Sequence, residues 1–170
     1  MLKVEFVNPF LEAAMEVFVT ETDLDLEKGP LSVQKSSITS QEVSVLIGIT
    51  GQIHGQVIYG MSSKTAKKVA SKMIGQPVAL MDELAQSAIS ELGNMITGLA
   101  TVKFSESYKN LAITPPTLIV GNNVMISTMD IHRLYIVLMS ELGDIEMSIA
   151  LKEHMVQSDI GVASARRSAI

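Results

Sequence analysis

The sequence predicts an α+β fold: a largely antiparallel sheet of about five to six strands covered by amphipathic helices. Three observations carry this. Apolar and polar residues alternate over Val43–Thr50 and again over 53–59, around a Gly51-Gln52 turn, which is the period-two pattern of a hairpin. Further alternating segments lie toward the C-terminal end, with Gly143-Asp144 as a turn between two of them. Between these sets two helical patterns follow one another directly. Helices therefore do not alternate singly with strands, as a doubly wound parallel fold would require.

Taken in order, Asn8-Pro9 reads as a helix start. Asn8 can cap, Pro9 fits the first turn, and Glu12 adds early negative charge. Phe10, Leu11, Ala14 and Phe18 form an apolar stripe at helical spacing, and the helix ends near 19–22. An acidic connector over 21–27, closed by Gly29-Pro30, reads as a solvated loop, and 31–35 as a short strand. In the hairpin that follows, Leu46 and Ile58 fall opposite the main apolar set, so helices are expected to cover part of that face too. Ser62 or Ser63 caps a helix running to about 74, stopped by Gly75 and Pro77. Its polar positions are basic: Lys64, Lys67, Lys68 and Lys72. A longer helix spans about 81–107 with the apolar set Leu84, Ala88, Leu92, Met95, Ile96, Leu99 and Val102. Pro115-Pro116 breaks the chain, and strands are expected over 117–121, 124–129, 132–140 and 145–152. Weak periodicity from 156 onward reads as a loose tail. One domain is thus expected over 1–155, with a tail over 156–170.

Composition narrows the chemistry. The 170 residues have a hydrophobic fraction of 47% and a mean hydropathy of +0.32, enough for a core. There is no cysteine, which excludes a disulfide scaffold, thiolate catalysis and Cys-ligated zinc. The three histidines, His54, His132 and His154, are scattered and form no local metal-ligand pair. A net charge of −5 argues against a mainly electrostatic nucleic-acid binder. No apolar run approaches the ~18 residues of a spanning helix, and Glu5, Glu12 and Glu16 interrupt any secretory core, so a cytoplasmic protein without membrane insertion is expected.

One segment of the long helix stands out. Ser87, Glu91 and Asn94 are spaced to share a face, which extends to Glu83, Gly98 and Thr101. No Lys or Arg occurs from Asp82 through Val102. Gly93 and Gly98 each cost about 1 kcal/mol relative to Ala in a helix interior, so helix stability is given up here. Two readings stand. The glycines let another surface approach Glu91 and Asn94 closely, or they let this helix pack on its own neighbours.

Ser87-x3-Glu91-x2-Asn94, with prolines a little over twenty residues on, resembles the signature of the CheC/CheX/FliY family of chemotaxis phosphatases. The N-terminal Phe-Val-Asn-Pro-Phe and its helix also resemble the start of CheX-type proteins, and the element order fits from about residue 3 to 153. Pro115 and Pro116 lie slightly nearer to Asn94 than the family's usual spacing. The single motif copy points to the CheX type. The resemblance implies a CheC-like α/β sandwich and a phosphatase acting on the phospho-aspartate of a CheY-like response regulator. By the same analogy Asn94 orients the attacking water, and Glu91 pairs with the regulator's active-site lysine. Ser87 and Gly98 support them. No metal or cofactor of its own is implied, since Mg²⁺ belongs to the partner regulator. A homodimer formed by joining sheets is also implied. The alternative is a non-catalytic module of the same fold, binding a regulator, chemoreceptor or flagellar-switch protein. A small-ligand sensor would need a closed apolar pocket, and the sequence displays none.

Overall fold

The computed structural model describes residues 4–35, 37–128 and 131–153. A 3₁₀ turn over Val4–Phe6 leads into helix α1 (Val7–Thr22). Strands β1 (Glu27–Gln34), β2 (Ser37–Thr39), β3 (Val43–Thr50) and β4 (Ile53–Met61) follow. Helices α2 (Ser63–Ile74) and α3 (Glu83–Phe104) come next. The chain closes with β5 (Ala112–Ile113), β6 (Thr117–Val120), β7 (Met125–Ser127), β8 (Arg133–Met139) and β9 (Ile145–Glu153).

The main sheet is seven-stranded and antiparallel, in the order β1-β8-β9-β4-β3-β5. Strands β5 and β6 pair in succession along the outer side of β3. The sheet is therefore six positions wide. Two hairpins, β3-β4 and β8-β9, are joined through the long β4-β9 ladder that runs from Ile53↔Glu153 to Met61↔Ile145.

The alternation that predicted the hairpin also dictates the core. Val43, Val45, Ile47 and Ile49 are buried, as are Val57, Tyr59 and Met61 opposite them. Ile145, Met147, Ile149 and Leu151 continue the same face on β9, and Leu134, Ile136 and Leu138 on β8. All three helices pack in one layer on this face, and α3 contacts both α1 and α2. Burial at roughly 25 cal/mol per Å² of apolar surface is the main force holding helix layer to sheet.

Several expectations are corrected. Helix α1 begins at Val7 and is capped by no side chain, so Asn8 is not its cap. The preceding 3₁₀ turn continues directly into it, and Pro9 sits within the first turn, where its missing N–H costs nothing. Gly29-Pro30 does not close a loop but lies inside β1, where the register with β8 shifts between Lys28 and Leu31. Proline is tolerated there because β1 is an edge strand with an irregularity. Among the described residues the back face of the sheet carries no helix. Ile58 is buried there under a small β2-β7 ribbon, whose Ile38, Ser40 and following Gln41 line a narrow hollow with Ser44, Ile58, Gly60 and Tyr135. Neither β2 nor β5 alternates visibly in the sequence, and both are short. Met129, the end of one expected strand, lies outside the described residues, as do His154 and the expected tail over 156–170.

Candidate functional site

Helix α3 is fixed at both ends and in the middle. At its start the Asp82 carboxylate accepts from the Ala85 backbone N–H at 2.9 Å, a side-chain cap. Gln86 Nε2 donates to the Met81 carbonyl at 2.7 Å. At its far end Phe104 stacks edge-on against Phe6, Phe10 and Tyr108, with ring centroids 5.7–6.0 Å apart. Lys103 pairs with Glu16 of α1 at 3.2 Å. In the middle, Tyr59 of β4 and Thr97 share a hydroxyl hydrogen bond of 2.9 Å, and Thr97 also donates to the Gly93 carbonyl at 2.8 Å. Burial pushes the Tyr59 phenol well above its usual value, so the hydroxyl stays neutral.

The two glycines separate. A Cβ at Gly93 would stand 2.9 Å from Val45 Cγ1 and 3.2 Å from Tyr59 Cδ2. Gly93 is therefore a packing glycine that lets α3 lie flat on the sheet. A Cβ at Gly98 would meet nothing within 4 Å. No intramolecular packing accounts for Gly98, and its openness fits close approach from outside.

The buried face of α3 is Ala85, Ile89, Leu92, Gly93, Ile96, Thr97, Ala100 and Phe104. This rotates the expected apolar set. Leu84 and Val102, expected in the core, are 54% and 64% exposed, and Ala88, Met95 and Leu99 lie half-buried at the flank. Leu84 and Val102 lie in line with Glu91, seven residues before it and eleven after, on the side of the helix opposite the buried arc whose centre the alanines and Gly93 define. Small residues carry little hydrophobic signal in the sequence, yet they mark where the helix axis comes nearest the sheet.

The outward face holds the motif. Ser87 and Glu91 are exposed, and Asn94, Gly98 and Thr101 are half-exposed. Asn94 Nδ2 donates to Glu91 Oε2 in a long contact of 3.4 Å, one helical turn apart. The contact engages the nitrogen of the amide, and among the described residues nothing donates a hydrogen bond to its oxygen. Ser87 stands one turn before Glu91 without a hydrogen bond among the described residues. Thr101 turns inward to donate to the Gly98 carbonyl at 2.7 Å. The site is thus a carboxylate and an amide on a convex, rigid ridge, suited to enter another protein's cleft rather than to enclose a small molecule.

Other candidates lie elsewhere. His54 is half-buried on β4, opposite Lys152 of β9, and His132 is exposed before β8. Among the described residues no group of three or more His, Asp or Glu could hold a metal ion. Among the described residues no helix is long and apolar enough to cross a membrane. Two surface hollows, of about 490 and 640 Å³, lie beside Asp23–Glu27 and beneath Lys68–Pro77, and neither includes a ridge residue.

A family model described as chemotaxis phosphatase CheX matches residues 43–140. The CheY-P phosphatase CheX of Thermotoga maritima is 38% identical over 149 residues, covering 86% of this chain and 95% of the relative. Among solved structures, a CheC-like superfamily protein from Shewanella sp. PV-4 is 26% identical with a TM-score of 0.80, covering 89% of this chain and 99% of its own. A CheX from Borrelia burgdorferi, solved as a CheX–CheY–BeF₃–Mg²⁺ complex, is 27% identical with a TM-score of 0.77, covering 89% of this chain and 100% of its own. The matching family model and the Thermotoga relative show that the chain belongs to the CheX family of chemotaxis phosphatases.

Proposed function

We propose that this protein removes the phosphoryl group from the aspartate of a CheY-like response regulator, with Glu91 and Asn94 completing the regulator's active site. The observation that carries this is the Glu91–Asn94 pair on the outward face of a helix locked to its sheet, in a chain of the CheX family.

The outward face of α3 docks on the regulator, and Asn94 enters its cleft. The Asn94 carbonyl oxygen accepts a hydrogen bond from a water molecule and turns a lone pair of that water toward phosphorus. The water oxygen forms the new bond to phosphorus as the bond to the aspartate oxygen breaks, giving inorganic phosphate and a free carboxylate. Phosphoryl transfer is governed by positioning and electrostatics, so an amide suffices where a strong base is not needed. Glu91 leaves its long contact with Asn94 and pairs with the regulator's lysine, a charge-assisted bond that fixes register. Ser87 borders the contact one turn earlier, and Gly98 keeps the ridge low beyond it. Mg²⁺ comes with the regulator, as the composition of the Borrelia complex supports. The acting unit is the domain over 1–155, in the cytoplasm, as a homodimer joined at a sheet edge. Exposed Val33 on β1 and Val120 on β6 mark the two edges available for such pairing.

The test follows phosphate loss from phosphorylated regulators with and without the protein. Asn94→Ala should lower kcat about 100-fold or more, since placing a water in line is worth about 3 kcal/mol and each 1.4 kcal/mol is tenfold. Binding to a regulator trapped with beryllofluoride should change little in that variant, whereas Glu91→Ala should weaken it as well. An Asn94→Ala variant as fast as the unaltered protein would refute the mechanism. Failure to accelerate any cognate regulator would leave a non-catalytic binding module.

A further inference from the structure

Helix α3 carries two large apolar side chains, Leu84 and Val102, on its outward side, where its own fold does not bury them. Leu84, Ala88, Glu91, Met95, Gly98 and Val102 follow one another at intervals of four, three, four, three and four residues. That is the 3.5-residue period by which one helix presents a seam to a partner surface. The inward residues from Ala85 to Phe104 already bury the helix on the sheet and on α1. The seam therefore adds nothing to the fold at its two ends, where Leu84 is 54% and Val102 is 64% exposed. Leu80, just ahead of the helix, is 75% exposed. Large apolar side chains left exposed in line with the Glu91–Asn94 pair mark a surface that another molecule covers.

We infer that Leu84 and Val102 are the docking anchors for the phosphorylated receiver domain, gripping it at either end of the Glu91–Asn94 pair. The inference rests on the proposed phosphatase reading. Its geometry sets the occupant. At 1.5 Å rise per residue the seam is about 27 Å long, with Glu91 roughly 10 Å from Leu84 and 16 Å from Val102. A specific interface covers about 800 Å² per partner, a patch of about that breadth. Any folded domain that brings its phosphoryl group to Asn94 must therefore cover both ends of the seam. The empty space over Gly98 lets the two backbones meet most closely between them. Apolar anchors around a polar centre also shut bulk solvent out of the interface and leave the one water that Asn94 holds.

The experiment uses the full chain with Leu84→Gln and Val102→Gln, which keep helix propensity and remove apolar surface. Two readouts are taken: turnover of the phosphorylated regulator, and binding to the same regulator trapped with beryllofluoride. The expected result is an increase of about tenfold in KM and in Kd for each variant, with kcat changed less than twofold and no loss of melting temperature. Unchanged KM and Kd in both variants would overturn the inference, and so would a loss of kcat alone. A fall in molecular mass by light scattering would assign the seam to a second copy of this chain and overturn it as well. Binding is measured apart from turnover, so a protein that binds through the seam but does not hydrolyse would refute the phosphatase reading and leave the seam standing. Absence of binding to every receiver domain of the organism would overturn both.

Discussion

Replacing each glycine of α3 by alanine should move stability in opposite directions. The intrinsic gain is the same at both sites, up to about 1 kcal/mol for Gly→Ala in a helix interior. At Gly98 the new methyl meets nothing within 4 Å, so the gain is kept whole. For a chain of this size 1 kcal/mol is about 2–4 °C in Tm, and Gly98→Ala should melt higher by up to that amount. At Gly93 the methyl would stand 2.9 Å from Val45 Cγ1 and 3.2 Å from Tyr59 Cδ2, inside ordinary contact distance. Neither neighbour yields easily. Val45 is β-branched, fully buried, and on a strand paired on both sides. Tyr59 is held by its bond to Thr97. Overpacking of this kind costs about 1–3 kcal/mol. Gly93→Ala should therefore be at best neutral and as much as about 2 kcal/mol less stable. The two variants should differ by about 1–3 kcal/mol, read by urea unfolding or by calorimetry at one fixed protein concentration. Equal stability, or Gly93→Ala the more stable, would refute the assignment of Gly93 to packing. The same Gly98→Ala protein, though more stable, should dock its regulator less well, because the added methyl stands where the partner approaches.

Three further variants test the scaffold. Asp82→Ala removes the cap on the Ala85 N–H and should cost about 1 kcal/mol, seen as a lowered urea midpoint with unchanged slope. Tyr59→Phe removes the bond to Thr97, whose hydroxyl still donates to Gly93, so no buried group is orphaned and the cost should stay near 1 kcal/mol. The raised Tyr59 phenol also sets a pH signature. Its neutral form is favoured in the fold, so this stabilisation is fully present below the ordinary phenol value of about 10 and is lost as pH rises through the higher folded value. Unfolding followed into the alkaline range should accordingly fall less steeply in Tyr59→Phe than in the unaltered protein. Gly143→Ala places a Cβ on a φ of +126° and against Thr65, and should lower stability by about 1–3 kcal/mol without changing kcat.

The parts of the fold legible in the sequence are those where the pattern is strong and local. Val43–Thr50 and its partner strand alternate, apart from Leu46 and Ile58, because the helix layer buries one face, and a one-residue slip would turn that core set outward. The Ser62 cap and the Gly75 stop placed α2 to within a residue, since capping depends on neighbours in sequence alone. Asn8 carried the same kind of signal and failed, because a 3₁₀ turn over Val4–Phe6 already supplies the helix entry. Strands β2 and β5 were illegible because their order comes from partners far along the chain, Met125–Ser127 and β3.

The candidate site divides in the same way. Ser87, Glu91 and Asn94 share a face by helical geometry, which any regular helix imposes whatever it packs against. The sequence by itself therefore determined the ridge with its acid and its amide, and a composition without cysteine and with three scattered histidines. Only the tertiary structure decided which way the rest of α3 turns. The angle of the helix about its axis is set by which side chains the sheet can accommodate. The answer rests on residues with almost no hydrophobic signature: Ala85, Gly93, Thr97 and Ala100 lie against the core, while Leu84 and Val102 turn to solvent. Close packing rewards small residues where two elements touch, and a pattern of hydrophobicity cannot register that.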